Sequence, residues 1–358
     1  MKVCIVSYVS PYVIPYINIY LGEIKISGAV CDILYWDRDC TDKIKKEGLI
    51  QYIPYSGKAL QSAGKLSRYV HYIPATRHIR NYLNKENYDR IIFLQTHAAV
   101  ACEGVLRKKY KGKYIVDIRD YTLENIRPFF NSEKRVIENS FKTVISSRGY
   151  KKFLPDYEYM PVHNYTPVNS EIVEKIKNKP VKTESINICF IGYVRFYDMA
   201  QKILTVLKND KRFHISYIGT GADALKDFCQ KQAIQNVTLI DRFSPEETAG
   251  FYMNCDIVNN LYGNHNRYLD YALSNKLYYG AQFNIPVLVS PNTYSCSVAE
   301  RYGIGFSWQV DEEKAADKLY EKYMAFDHKK MKISSQLFLD SVVKDNLCFK
   351  RMIQKFLK

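Results

Sequence analysis

Between residues 186 and 307, short apolar runs that end in glycine or a carboxylate alternate with helix-length segments. INICFIGYVR (186–195) and FHISYIGTGA (213–222) each read as a buried strand that turns on Gly192, or on Gly219 and Gly221. VTLIDRF (237–243), CDIVNNLY (255–262) and IPVLVS (285–290) follow, with roughly helical spacers between them. This rhythm predicts a parallel sheet with crossover helices, since such strands are covered on both faces and lose the apolar–polar alternation. Ligands of such sheets bind beyond the carboxyl ends of the strands. The glycine turns and Lys276 are therefore expected on one crevice, suited to a phosphate-bearing ligand.

The first half repeats the rhythm with less glycine. KVCIVSY (2–8), VCDILYW (30–36), YDRIIFLQTH (88–97), KYIVDIRDY (113–121) and FKTVISS (141–147) are its strand candidates, with helices expected around 14–28, 98–110 and 131–139. At 358 residues the chain exceeds the size at which one core stops growing, so two domains are expected. A polar stretch at 160–185 with Pro161, Pro167 and Pro180 reads as the connection. From about Ser334 to Lys358 the apolar residues have helical spacing. The expected division is 1–165, then 166–339, with a terminal helix over about 340–358 that packs back on the first domain.

Nine cysteines form no CxxC pair, and several lie inside apolar runs, which suits small buried side chains in a reducing compartment. The N-terminal stretch is broken by Pro11, Pro15 and polar residues, so it reads as a first strand and not as a signal peptide. No apolar run reaches the ~18 residues of a membrane span. The net charge of +15 is uneven, with no acidic residue between Gly48 and Lys85. There Lys58, Lys65, Arg68, Arg77, Arg80 and Lys85 interleave with Tyr55, Tyr69, Tyr72 and Tyr82. That mixture suits an anionic bilayer surface, and a merely solvated basic face is the alternative. No nucleic-acid-binding motif is present, so nucleic acid is not expected as a partner.

Several motifs in order resemble GT-B glycosyltransferases, in particular glycosyltransferase family four and related capsule and O-antigen polysaccharide transferases. KYIVDIRDY resembles the strand that ends beside the acceptor, and VISSRGYKKFLPDYEYMPVHNYTP resembles the segment leading into the linker. IGYVR resembles the strand-to-glycine turn that opens the donor domain, and IGTGADALKDF the next strand and turn. NKLYYGAQFNIPVLVS resembles the family's lysine-to-proline donor loop. The resemblance covers most of residues 88–310. It implies an α/β chain of GT-B architecture, with two doubly wound Rossmann-like domains facing a central cleft and a C-terminal helix returning to the first. The chain departs from the family where two glutamates are usual, placing Tyr271 and Tyr279 there, and it has Asn284 two residues before Pro286 in place of glycine.

The resemblance implies that Lys276, with Asn275 before it and Ser274 as a helix cap, meets the diphosphate of a nucleotide sugar. A solvent-facing lysine is the alternative. Arg195, just past Gly192, could take the diphosphate in bidentate fashion or form a surface ion pair. Gly192, Gly219 and Gly221 allow close ligand approach, though a turn alone would explain any of them. Asp241, Arg242, Tyr279 and Glu300 are candidates for contact with the nucleotide or acceptor. In the first domain Asp120 ends a strand where family members often place a histidine, and its carboxylate could serve as the general base of an inverting displacement. Pairing with Arg119 or capping the next turn is the alternative role for Asp120. His97, ending the preceding strand, is a second catalytic candidate or a structural histidine. Asp37 and Asp39 have DxD spacing but read as a loop, and neither a metal nor another cofactor is expected.

Taken together these readings point to an enzyme that transfers a sugar from a nucleotide-diphosphate sugar to a lipid-linked or growing surface glycan. It is expected in the cytoplasm, peripheral at the inner face of the plasma membrane. A non-catalytic GT-B protein that binds a glycan or a partner, or a GT-B nucleotide-sugar epimerase, are the alternatives.

Overall fold

The computed structural model describes residues 1–58 and 65–358, with the side chains of residues 65–71 and of Pro245 outside the described set. The chain divides into two compact units, Met1–Asn164 with Lys344–Lys358, and Tyr165–Val343.

The first unit is built on one sheet whose strands are β1 (Lys2–Ser7), β2 (Val30–Asp37), β3 (Lys45–Glu47), β4 (Ile50–Ser56), β5 (Arg90–Phe93), β6 (Tyr114–Ile118), β7 (Lys142–Ile145) and β8 (Met160–Pro161). Their order is β3-β4-β2-β1-β5-β6-β7-β8, parallel except for the β3/β4 hairpin. Chain order therefore reverses between β1 and β5, where ligands of such sheets gather at the carboxyl ends. Val3, Ile5, Cys31, Ile33, Ile92 and Ile115 are fully buried in the core of this unit, as two-faced coverage requires. Tyr20, Phe349, Ile353 and Phe356 join the same core, so the end of the chain is part of this unit. Gln354 donates to the Glu23 carboxylate at 2.9 Å, and Asn346 accepts from the His163 N–H at 2.8 Å.

The second unit carries β9 (Ile186–Ile191), β10 (Phe213–Ile218), β11 (Val237–Ile240), β12 (Ile257–Asn260), β13 (Val287–Val289) and β14 (Gly305–Ser307). Their order is β11-β10-β9-β12-β13-β14, every pair parallel, so here the reversal falls between β9 and β12. Apolar clusters on both faces bury Ile188, Ile215, Ile257 and Leu288 on one side and Cys189, Val258, Val287 and Leu277 on the other.

Four strands lie outside the sequence expectation. β3, β8 and β14 are too short to carry a period, and β3 is wholly charged and exposed, a common form for an edge strand. β4 carries Pro54 and mixed polarity, which masked it. The stretch from Lys65 to Lys85 is a helix despite Pro74 inside it. The terminal helix runs from His328 to Phe356, starting earlier than its apolar spacing suggested. The expected connection is not structureless, since it holds β8 and a helix over Ser170–Lys177. Among the described residues all nine cysteines are free and most are buried.

Candidate functional site

Lys276 defines the strongest site in the second unit. Ser274 accepts the Lys276 N–H at 3.3 Å and caps the helix Asn275–Phe283, so the lysine enters in the first turn with a fixed backbone. The residue is only 6 % exposed. Its Nζ lies 4.0 Å from the Phe190 ring centroid and 5.2 Å from that of Tyr262, and it donates to the Tyr262 hydroxyl at 2.7 Å. Phe190 stands at the end of β9 and Tyr262 just past β12, so the ammonium sits at the reversal of strand order. A buried charge is costly unless paired. Among the described residues no carboxylate pairs with Lys276, and a lysine has three donors for which one acceptor is found. The arrangement is a preformed cationic socket with capacity for an anion.

Gly192 forms the opposite wall, for a β-carbon built on it would lie 3.6 Å from Lys276 Nζ. Its φ of +130° and that of Gly219, +134°, are poorly accessible to other residues. At Gly219 a β-carbon would meet the Gly192 carbonyl oxygen at 2.1 Å, and at Gly221 the Val194 oxygen at 2.3 Å. Thus Gly219 and Gly221 let two turns pack backbone on backbone, whereas Gly192 faces the lysine. Behind the socket, Gly263 donates to Ser290 Oγ at 3.0 Å, and Thr293 caps the helix Tyr294–Arg301 by accepting from Cys296 N–H at 3.1 Å.

The other candidates of this unit divide by position. Arg195 is exposed in the loop after Gly192, its guanidinium 5.2 Å from the Phe196 ring centroid. Asn275 is exposed at the first position of the lysine helix. Asp241 accepts the Gly221 N–H at 2.9 Å and so ties the glycine turn to the end of β11, while Arg242, with 83 % of its side chain exposed, lies 3.5 Å from Asp241. Tyr279 stacks on Tyr252 at 5.1 Å and on Phe283 at 6.2 Å, on an aromatic face of the core. Glu300 accepts from Ser307 Oγ at 2.7 Å. The sequence reading missed Phe190 and Tyr262, which look like ordinary strand-end aromatics until the fold sets them around Lys276.

In the first unit Asp120 is exposed two residues past β6. Burial, then the Asp120 charge, raises the Tyr150 phenol, whereas Tyr16 is raised by burial, then Asp117, with Asp120 a later contributor. Arg119 does not select Asp120 as its partner: it forms a two-pronged pair with the fully buried Asp117, at 2.7 and 2.8 Å, and its guanidinium covers the Tyr16 ring at 4.2 Å. Tyr20 also donates to Asp117, at 2.7 Å. His97 packs against the rings of Tyr8 at 5.1 Å and Tyr72 at 5.5 Å. Burial, then the Arg38 guanidinium, pushes it down to about 4, so this imidazole is neutral near pH 7.

The basic, tyrosine-rich stretch is partly inward-facing. Tyr72 joins Tyr8 and Trp36, His78 lies between Tyr55 and Tyr82, and Arg80 donates to the Ala101 carbonyl. Arg77 and Lys85 are exposed, whereas the side chains of Lys65, Arg68 and Tyr69 lie outside the described residues. Asp37 accepts the N–H groups of Asp39, Cys40 and Asp42 at 2.8 to 3.1 Å, which makes DRDCTD the loop its sequence suggested. Among the described residues no group of three or more His, Cys, Asp or Glu is placed to hold a metal ion, and no helix is long and apolar enough to cross a membrane.

No protein-family model and no curated protein matches the sequence. Solved structures do match the fold. Sucrose-phosphate synthase from Thermosynechococcus elongatus is 11% identical, with 100% of this chain and 95% of that one covered and a TM-score of 0.67. The lipopolysaccharide outer core galactosyltransferase WaaB is 14% identical, covering 98% and 99%, with a TM-score of 0.64. Anabaena HepE in complex with UDP-glucose is 10% identical, covering 99% and 100%, with a TM-score of 0.62. These are GT-B glycosyltransferases, and the chain has their α/β fold of two Rossmann-like domains.

Proposed function

We propose that this protein transfers a glycosyl group from a nucleoside-diphosphate sugar to a lipid-linked or growing surface glycan. The observation that carries the reading is the buried Lys276 ammonium, held at the strand-order reversal opposite Gly192 with one neutral hydrogen-bond partner. Such a cation stabilises the charge that develops on a departing diphosphate, and the capped helix behind it adds aligned N–H dipoles. HepE has been crystallised with UDP and with UDP-glucose in the same fold. In this reading Asp120 accepts the proton of the acceptor hydroxyl as its oxygen bonds to the anomeric carbon, and the bond from that carbon to the diphosphate oxygen breaks. Association with an anionic membrane surface belongs to the proposal, resting on the exposed basic residues of the first unit.

Thermal-shift screening against UDP-, GDP-, CMP- and dTDP-sugars tests the donor. A ligand present at about 100 times its Kd contributes about 2.7 kcal/mol, a shift that is readily seen. No stabilisation by any nucleotide sugar or nucleoside diphosphate would refute the proposal.

A second reading, a non-catalytic nucleotide-sugar or glycan binder, is favoured by one observation. Tyr279, at one of the positions where the family has glutamate, is stacked on Tyr252 and Phe283. Tight donor binding without turnover on any glycan acceptor would select it.

A further inference from the structure

At the amino edge of the second sheet, opposite Gly192 and Tyr262, lies a cavity of about 190 Å³. It is bounded by the residues that enter β12 and β13, by the end of the helix Ser170–Lys177 and by the start of the terminal helix. Lys177, Lys179, Lys329 and Lys332 line it, and its one lining carboxylate is Asp256. That carboxylate is already neutralised, by Lys179 at 2.9 Å and Lys182 at 3.4 Å, and it also accepts the Asn187 N–H at 2.9 Å. Lys177, Lys329 and Lys332 have no ion-pair partner among the described residues. Asp327, next to the cavity, caps the terminal helix by accepting the Lys330 N–H at 2.8 Å.

The wall therefore holds three uncompensated ammonium groups around a space that is small for a nucleotide. Ligand pockets for drug-sized molecules run to about 300–1,000 Å³, and a cavity of about 150 Å³ holds one six-membered ring. A further polar atom in the wall residues, His328 Nε2, is buried without a hydrogen-bond partner among the described residues. A balanced surface would intersperse acids with these lysines, and here the one lining carboxylate is taken up by Lys179 and Lys182.

We propose that this cavity is a second anion site, which binds the phosphate monoester of a small polar molecule at the edge of the sheet remote from Lys276. A phosphate monoester matches the chemistry because a compact dianion can take hydrogen bonds from several lysines at once, each acting as a point charge. The site does not depend on the glycosyl-transfer reading. The phosphate could be carried by a soluble metabolite or by a lipid headgroup, and the test separates these.

Thermal shift of the full chain with glycerol 3-phosphate is the first arm, with sodium chloride at equal ionic strength as the reference. The midpoint should rise with the phosphate monoester alone. The rise should persist in Lys276→Ala, and Lys329→Ala/Lys332→Ala should need about tenfold or more ligand for the same rise. Both lysines are exposed, and Lys329→Arg/Lys332→Arg should keep the response, which separates lost charge from lost folding. The second arm is cosedimentation with vesicles of phosphatidylcholine and phosphatidic acid. Vesicle binding that the double alanine variant loses, without a response to glycerol 3-phosphate, assigns the anion to a headgroup. No response in either arm, a response matched by chloride, or one that the double alanine variant keeps or Lys276→Ala abolishes, overturns the site.

Discussion

Lys276 Nζ donates to the Tyr262 hydroxyl at 2.7 Å, and this neutral oxygen is the one hydrogen-bond acceptor found for a buried ammonium among the described residues. A diphosphate would add the missing acceptors with opposite charge. Lys276→Ala is therefore expected to weaken binding of the nucleoside diphosphate by about 1.5–3 kcal/mol, the range for a hydrogen bond to a charged group. Tyr262→Phe should cost about 1 kcal/mol or less, because it removes a neutral partner that orients the lysine. Isothermal titration calorimetry of both variants checks the order. Equal affinities for wild type and Lys276→Ala would leave the lysine a packing role.

Gly219 and Gly192 touch through their backbones, so the glycine turn has no room for a methyl group. A β-carbon at Gly219 would lie 2.1 Å from the Gly192 oxygen, at a φ of +134° that alanine avoids. Gly219→Ala is expected to destabilise the protein by about 3 kcal/mol or more, through strain together with overpacking. Gly192→Ala has more space, 3.6 Å to Lys276 Nζ, so it should cost less stability while still disturbing ligand binding. Urea midpoints of the two variants measure the difference.

The periodic part of this protein is legible in its sequence. β9, β10 and β12 read as buried parallel strands because apolar runs such as ICFIG and ISYIG leave no solvent-facing alternation, and the turns of Gly192 and Gly219 mark the ends of β9 and β10. The helix Lys65–Lys85 is hard to read because Pro74 lies inside it and the half-buried Tyr72 packs against Tyr8 and Trp36 instead of marking a periodic stripe. Lys276 could be singled out from its cap and neighbours, but its burial could not, since the Phe190 and Tyr262 rings that cover it come from the end of β9 and from just past β12. Likewise Arg119 and Asp120 are adjacent in sequence, yet the guanidinium turns to Asp117, because alternate residues of a strand share a face and consecutive ones do not.

Asp345 anchors the last part of the terminal helix within the first unit. Burial acts to raise its carboxyl, but hydrogen bonds from His163 at 2.9 Å and from Arg148 at 2.6 and 2.9 Å hold it down at about 2. Because the folded value is depressed below the ordinary ~3.9, the stabilisation is present above about pH 4 and is lost as pH falls toward 2. Asp345→Asn should lower stability by about 1–2 kcal/mol at pH 7, a figure reduced for the half-exposed Arg148, and should flatten the acid limb. Chemical denaturation at pH 3 and pH 7 tests both parts.

Glu133 behaves in the opposite sense. It is fully buried on the helix Arg127–Glu138, neither carboxyl oxygen has a partner among the described residues, and burial, then Glu124, pushes it up to about 9. A folded value above the unfolded one means that its contribution is complete below about pH 4 and declines as pH rises toward 9. Glu133→Gln keeps the shape without the titration and is expected to raise stability at pH 8 by about 1–3 kcal/mol. A variant less stable than wild type at pH 8 would show that a counter-charge holds the carboxylate ionised.

The proposed general base makes a prediction that separates chemistry from binding. Asp120 is exposed past the end of β6, and its charge acts, after burial, to raise the Tyr150 phenol. Asp120→Asn removes proton acceptance with little change of shape. It should cut kcat for sugar transfer by about 10² to 10⁴ while leaving donor affinity nearly intact, since the interaction lost is one made in the transition state. A base that takes the acceptor proton during a single displacement also requires inversion at the anomeric carbon. Proton NMR of the first product formed reads that configuration directly. Retained configuration, or near-wild-type turnover in Asp120→Asn, would remove Asp120 from the reaction and leave Lys276 as the residue through which the donor is engaged.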